Sequence, residues 1–151
     1  VERGRELDEG VAAAGRLVGL EFRHDLMRRT PNTVDAHRVI RFAGLHDVQD
    51  AVVERLFAAY FVEGRDIGDR AVLAEEAGAA GLDAASVRAM LDSDVGRKEV
   101  LAEDAGARAA DVNGVPTFAM DGHVLFSGAM PADRMEAAFQ RAWHILRTRA
   151  A

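Results

Sequence analysis

The chain of 151 residues has the size of one globular domain, and its 49% hydrophobic and 29% charged residues are typical of an ordinary soluble protein. Its 19 Lys and Arg against 25 Asp and Glu give a formal net charge of -6, which argues against nucleic-acid binding, because neutralising phosphates needs a basic surface. No apolar stretch is long enough to span a membrane, and the first residues lack the apolar core of a signal peptide. We therefore expect a cytoplasmic protein with neither a membrane nor a nucleic acid as its partner.

The sequence has no cysteine, which excludes disulfides, thiolate metal ligands and thiol chemistry by these residues themselves. The signatures of phosphate-binding loops, dinucleotide sites, zinc proteases and serine hydrolases are absent. Five scattered histidines show no metal-ligand spacing, and acidic pairs such as Glu75–Glu76 and Glu103–Asp104 are expected on solvated helix faces. We expect no metal site and no catalytic residue within this chain.

Residues 1 to about 112 have the apolar spacing of helices. The segment 30–33 predicts the start of a helix that runs to Ala43–Gly44, with a Thr or Asn side chain as its cap. Later helices are predicted to begin at Asp47, at Asp69, at Asp83 or Ser86, and at Asp94, the last of them running through Ala110. The first helix is predicted to bury one face, formed by Leu7, Val11, Ala14 and Val18.

The helix after Asp47 carries two apolar stripes, so we expect it to be covered on more than one side at the centre of the helical part. The stripes are Val48, Val52, Leu56 and Tyr60, and Val53, Phe57 and Phe61.

The pattern changes after about residue 112. Two strand-like runs, 115–120 and 124–127, flank Asp121–Gly122, the preferred corner of a tight hairpin, because glycine accepts positive φ. An isolated hairpin is marginal in water, so it must pair with more sheet or lie against helices. Pro131 is expected in the first turn of a final helix, whose apolar face is Met135, Ala138, Phe139, Ala142 and Ile145.

Two short motifs allow more than one interpretation. Arg28–Arg29 could hold an anionic ligand, although pairing with carboxylates or exposure to water is the commoner outcome. In Val115–Pro116 the proline could begin an edge strand with a trans bond, or enter the strand sharply with a cis bond. A residue just before such a proline can present its own N–H and C=O to an extended peptide.

Four segments together resemble the DsbA-like branch of the thioredoxin superfamily, in particular the group of FrnE-type oxidoreductases and 2-hydroxychromene-2-carboxylate isomerases. They are Arg29–Arg38, Leu56–Ile67, Gly114–Phe118 and Val124–Pro131, and their order and spacing match along essentially the whole chain. The resemblance implies an α/β, mostly helical, thioredoxin-like fold of DsbA type. Residues 1–112 would form its helical insertion subdomain, and residues 113–151 the C-terminal hairpin and closing helix of the thioredoxin-like domain.

In this family a strand, a Cys-x-x-Cys (or a Ser in its place) at a helix start, and a second strand precede the matched region. The resemblance therefore places the reactive thiols in an N-terminal part absent from this sequence. The loop around the matched proline would lie against that thiol and bind the substrate main chain. Asn32 and the loop from Ser127 to Ala129 match positions near glutathione in the members that use it. The expected substrate-binding residues are Gly114, Val115, Pro116, Asn32, Ser127 and Gly128.

Three functions remain open. The first is an enzyme, a thiol–disulfide oxidoreductase of the DsbA/FrnE-like family that acts on protein or small thiol or disulfide substrates without a further cofactor. The second is an isomerase or transferase of the same fold that uses glutathione. The third is a non-catalytic partner-binding module, which the absence of cysteine favours. An exposed edge strand would also invite a homodimer, and the composition, rich in Ala and Arg, suggests a bacterial source.

Overall fold

A computed structural model describes residues 2–110, 112 and 114–149, and the side chains of residues 8–110, 112 and 114–148. The elements are α1 (Glu2–Leu17), α2 (Val34–Gly44), α3 (Gln49–Phe57), α4 (Arg70–Ala79), α5 (Ala84–Leu91), α6 (Arg97–Ala109), β1 (Thr117–Met120), β2 (His123–Ser127) and α7 (Ala132–Arg149). A 3-10 turn, His24–Leu26, follows α1, and a π turn, Ala58–Val62, continues α3. No helix in this part of the chain is long and apolar enough to cross a membrane.

The chain divides into two compact units, Val1–Ala102 and Glu103–Ala151, so the division falls within α6. The domain boundary expected between residues 112 and 113 stays a prediction, and residue 113 lies outside the described residues.

The first unit is organised around one apolar core formed by α2, α3, α4 and α5. Its members recur three or four residues apart along each helix, which places them on one face, and several are alanines that let the helix backbones approach closely. The cluster comprises Ala36, Val39, Ala43, Val52, Leu56, Leu73, Ala74, Ala77, Leu82, Val87, Met90 and Leu91.

Two charged side chains are buried in the first unit. Arg38 is 1% exposed and donates hydrogen bonds to the Asp35 carboxylate and to main-chain carbonyls at and after the end of α5. The Ser93 and Val95 carbonyls lie beyond the last turn of the helix, so the guanidinium supplies a donor to each. It adds a further donor to the Met90 carbonyl, which also accepts from Ser93. Glu76 is wholly buried and pairs with Arg55 and Arg65. The expectation that Glu75–Glu76 lies on a solvated face is therefore wrong for Glu76, because two arginines distant in sequence neutralise it.

In the second unit β1 and β2 form an antiparallel hairpin, as predicted. Its corner is Asp121 and Gly122, with φ of 49° and 75°, the two positive values that a type I′ turn requires. The rings of Phe118 and Phe126 lie 5.6 and 5.5 Å from that of Phe139 on α7. The hairpin thus lies against a helix, one of the two expected outcomes. On the predicted apolar face of α7, Ile145 is 44% exposed and the other four residues are half-buried.

The observed helix starts agree with the predicted ones where a capping side chain determines them. Asp69 accepts a hydrogen bond from the Ala71 amide and Asp83 accepts one from the Ser86 amide, so both predicted caps are confirmed. Helix α2 begins after the segment 30–33 and ends at Gly44, as predicted.

The predicted cap at Asp47 is wrong. This residue has a φ of 57°, in the left-handed region, and α3 begins at Gln49 after Val48. The Val48 amide donates to the Ala43 carbonyl at 3.2 Å, five residues back, which is the closing hydrogen bond of a Schellman motif. Asp47 therefore closes the turn that follows α2 and does not begin α3.

Two expected apolar faces are not buried among the described residues. On α1, Val11 and Val18 are 48% and 73% exposed, and the side chain of Leu7 lies outside the description. The close approach on α1 is instead at Gly15, where an added Cβ would lie 2.8 Å from the Phe22 ring, because the chain reverses between these residues. The second stripe of the helix after Asp47 is covered only in part, because Phe57 is 58% exposed whereas Val53 and Phe61 are half-buried.

Candidate functional site

The loop before β1 and the loop after β2 meet in the second unit. The Val115–Pro116 peptide bond is cis, and the Val115 side chain is 90% exposed. The Pro116 carbonyl accepts a hydrogen bond from the Gly128 amide at 2.7 Å. Because the strands are antiparallel, residues that precede the first and follow the second are neighbours, and this hydrogen bond extends the ladder by one pair.

A single hydroxyl group fixes both loops. Thr117 Oγ1 donates to the Gly114 carbonyl at 2.6 Å and lies 2.8 Å from Ser127 Oγ, its cross-strand neighbour. One side chain thereby closes the turn that carries Val115 and connects it to the end of β2.

Five of the six expected binding residues are brought together in this way: Gly114, Val115, Pro116, Ser127 and Gly128. Thr117 is the residue that the sequence reasoning missed. The sequence does contain an indication of this role, because a Thr directly after a proline at the start of a strand can hydrogen bond back to the preceding turn. Gly128 has a φ of 93°, a conformation that favours glycine, so its identity follows from the loop geometry.

The sixth expected residue, Asn32, belongs to the first unit and has a structural task there. Its side-chain oxygen accepts a hydrogen bond from the Val34 amide at 3.0 Å, at the start of α2. The cap expected from a Thr or Asn in this segment is therefore supplied by Asn32, since Thr33 makes no side-chain cap.

The main chain at Val115 is open to a ligand. Within the described part of the chain, no protein group hydrogen bonds to its N–H or its C=O. An adjacent donor and acceptor on an exposed loop are the groups with which an extended segment pairs. What this arrangement can do chemically is hold a peptide main chain in a fixed direction.

The other motif singled out, Arg28–Arg29, is partly occupied by the protein itself. Arg29 binds the Asp66 carboxylate through Nε at 2.7 Å and through a terminal nitrogen at 2.6 Å. The hydrogen bond from the Gly68 amide, together with that from Arg29, holds the pKa of Asp66 below its usual range. Pairing with a carboxylate, the commoner of the two interpretations, thus holds for Arg29. In the described residues no three His, Asp or Glu side chains cluster as metal ligands would.

Comparison with known proteins identifies the class. A family model described as a DSBA-like thioredoxin domain matches residues 1–140. A solved structure, the probable DsbA oxidoreductase SCO1869 from Streptomyces coelicolor, is similar at 30% sequence identity and a TM-score of 0.82. The match covers 95% of this chain and 62% of that one. No curated protein matches.

The chain belongs to the DsbA-like thioredoxin family, so the resemblance to the DsbA-like branch inferred from its sequence is confirmed. Its mostly helical architecture with a small two-stranded sheet is the expected fold class, and its neighbour among solved structures has the DsbA-like thioredoxin fold. This chain spans 62% of the length of that neighbour.

Proposed function

We propose that this protein is a thiol–disulfide oxidoreductase of the FrnE-like kind, in which these residues bind the substrate and a dithiol outside the 151-residue sequence performs the exchange. Membership of the DsbA-like family and similarity to a probable DsbA oxidoreductase support this class of enzyme. The absence of cysteine from the sequence requires that the sulfur atoms come from elsewhere in the protein.

The exchange has two steps. A substrate thiolate attacks the enzyme disulfide and forms a mixed disulfide, and the second substrate thiolate then displaces the enzyme sulfur. The substrate loses two electrons and two protons and gains one S–S bond, while the enzyme disulfide becomes a dithiol. The same steps in reverse reduce a substrate disulfide. Either direction requires the substrate sulfur to be held in line with the attacking thiolate.

The observation that carries the proposal is the open main chain at Val115 on a loop that is fixed from two sides. The hydrogen bond between Pro116 and Gly128 and the hydroxyl of Thr117 restrict the loop before a substrate binds. Binding to a fixed loop loses less conformational entropy than binding to a mobile one, which favours orientation of an extended substrate. We propose a protein or peptide disulfide or dithiol as the substrate, with Val115 pairing with its main chain.

The first experiment is an intact mass with thiol titration on the protein isolated from its source. A mass above 16.3 kDa with two titratable thiols supports the proposal. A mass of 16.3 kDa without thiols contradicts it and favours a partner-binding module. A larger mass without a thiol pair favours the glutathione-dependent alternative, which a rise of the melting temperature with glutathione would then support.

The second experiment tests the loop in the protein that carries the dithiol. We expect Thr117→Val to lower kcat/KM for reduction of a disulfide-bonded peptide by about tenfold, because the loop loses both hydroxyl contacts. The matched control is Thr148→Val, which removes an exposed hydroxyl bonded to the His144 carbonyl on α7. Equal kcat/KM values for the two variants would contradict a binding role for the loop.

A further inference from the structure

A groove of about 600 Å³ lies between β2 and α7 in the second unit. Four consecutive residues, His123–Phe126, line it on the strand side, and Arg134, Arg141 and Ile145 are among those that line it on the helix. None of the residues of the Val115 loop lines the groove, so its function is separate from the proposed redox site.

The strand side of the groove is the outer edge of β2. The pairing with β1 is irregular here, because the neighbours Phe118 and Ala119 lie opposite Phe126 and Val124. The four consecutive residues that line the groove therefore follow the length of β2 across this irregularity. Within the described residues β2 pairs with β1 alone, on its other edge. The outer edge therefore presents main-chain N–H and C=O groups that a further strand can pair with.

The helix side of the groove is basic. Arg134 and Arg141 are seven residues apart, so they lie on one face of α7, separated by about 10 Å along its axis. No carboxylate lines the groove, and within the described residues neither guanidinium makes an ion pair. Helix α7 carries four arginines and two carboxylates, although the whole chain has a net charge of -6.

The groove also has apolar surface that is open to water. Val124 is 51% exposed and Ile145 is 44% exposed. An occupant that suits these features needs a main chain for the strand edge and carboxylates for the arginines. A free small anion would satisfy the arginines alone.

We propose that this groove binds an extended acidic peptide segment of a partner protein, which adds to the outer edge of β2 as a strand. An extended chain rises about 3.3 Å per residue, so carboxylates at alternate positions bring one within reach of each arginine. The intervening side chains point to the opposite face of the added strand, away from α7. This mode of recognition obtains affinity from the main chain and specificity from the side chains.

The test uses the full chain and a fluorescein-labelled peptide of alternating Glu and Val, about eight residues long, the length of a typical strand. Fluorescence anisotropy at low ionic strength should show saturable binding. We expect Arg134→Gln with Arg141→Gln to weaken binding by at least about tenfold, since two charge pairs are lost. The matched control is Arg147→Gln, because Arg147 lies on the same helix, over the Trp143 ring and outside the groove.

Three further outcomes decide the mode of binding. A peptide N-methylated at alternate residues has lost the donors for one strand edge and should bind much more weakly. Equal affinity of that peptide would overturn strand addition, and retained affinity of the double variant would overturn the assignment of the arginines. A concentration-dependent dimer that the double variant dissociates, with no binding of the peptide, would assign the groove to a second copy of the chain and overturn the proposal.

Discussion

The two units of this chain are stabilised in different ways. In the described part of the first unit, fourteen apolar residues are buried, along with two charged side chains that have all their partners. In the described part of the second unit no residue is buried, and the aromatic contact between the hairpin and α7 is only half-covered. The shape of the first unit is set by burial, whereas the second unit leaves much of its main chain and side chains exposed.

The difference in burial predicts a difference in how the units respond to substitution. Removing a buried group lowers the free energy of unfolding, because contacts are lost and its former partners stay buried without hydrogen bonds. Removing an exposed group has a smaller effect, because its former partners can hydrogen bond to water. The following substitutions test whether the two units differ in this way in their free energy of unfolding.

The largest effect is expected at Arg38. Arg38→Ala removes the donors to the carbonyls of Met90, Ser93 and Val95, so the free energy of unfolding should fall by about 3–5 kcal/mol. Urea unfolding followed by far-UV circular dichroism measures this. The control Arg88→Ala alters an exposed arginine on α5. If both variants unfold at the same urea concentration, the buried guanidinium does not hold the end of α5.

The next effect is expected at Glu76. Glu76→Gln leaves Arg55 and Arg65 without their buried carboxylate, but both arginines reach water, with 41% and 27% of their side chains exposed. We expect a loss of about 2–4 kcal/mol in the free energy of unfolding. Glu75→Gln is the matched control, since this neighbour pairs with Arg65 while 67% exposed, and it should change little. A larger effect for Glu75 than for Glu76 would reverse this ranking of the two carboxylates.

Phe139 tests the second unit. Its ring touches Phe118 and Phe126, so Phe139→Ala should lower the free energy of unfolding by about 2–3 kcal/mol, less than a fully buried phenylalanine would. The fluorescence of Trp143, the single tryptophan, reports on the same helix. Phe57→Ala, at an exposed ring of the first unit, is the control and should have the smaller effect. A larger loss of the free energy of unfolding than that of Arg38→Ala would contradict the proposed difference between the two units.

The smallest effect is expected at Asp35 and depends on pH. Burial acts to raise the pKa of this carboxyl, but hydrogen bonds from Arg38 and Arg70, with their charges, outweigh it and hold the pKa below its usual range. Its stabilisation is therefore complete above the unfolded-state pKa of about 3.9 and is lost as the pH falls through the folded-state pKa. At pH 7, Asp35→Asn should cost about 1–2 kcal/mol.

Unfolding of both proteins as a function of pH checks this expectation. The difference between Asp35→Asn and the parent protein should shrink on acidification, because the parent carboxyl then becomes neutral as well. Asp92→Asn, the exposed second partner of Arg70, serves as the control and should show little difference at any pH. A difference for Asp35→Asn that stays constant from neutral to acid pH would exclude the ionised carboxylate as its origin.

Local features of the fold could be predicted well from the sequence. Local sequence is enough to predict a helix cap or a tight turn, because each depends on a few neighbouring residues. This holds for the caps at Asp69 and Asp83 and for the turn at Asp121–Gly122. Asp47 shows the limit of such reasoning. An aspartate between two helices can end one or begin the next, and the hydrogen bond from Val48 to Ala43 decides between them.

The candidate site was predicted from the family resemblance, because none of its residues carries a reactive side chain that would mark it in the sequence. The features that single out this loop are main-chain ones, the exposed peptide groups of Val115 and the hydrogen bond of the Gly128 amide, and a sequence pattern does not display them. Thr117 was missed because the hydroxyl has a role only once the hairpin register brings Ser127 opposite it.

The sequence by itself determined the order of helices, hairpin and closing helix, the net charge and the absence of thiol chemistry from these residues, because composition and local spacing suffice for each. Only the tertiary structure decided which charged residues are buried and which apolar faces stay open. Glu76 looked like a surface carboxylate, and α1 looked like a helix with a covered face. The physical reason is the same for both, since the burial of a side chain depends on groups that arrive from distant parts of the chain, such as Arg55, 21 residues away from Glu76.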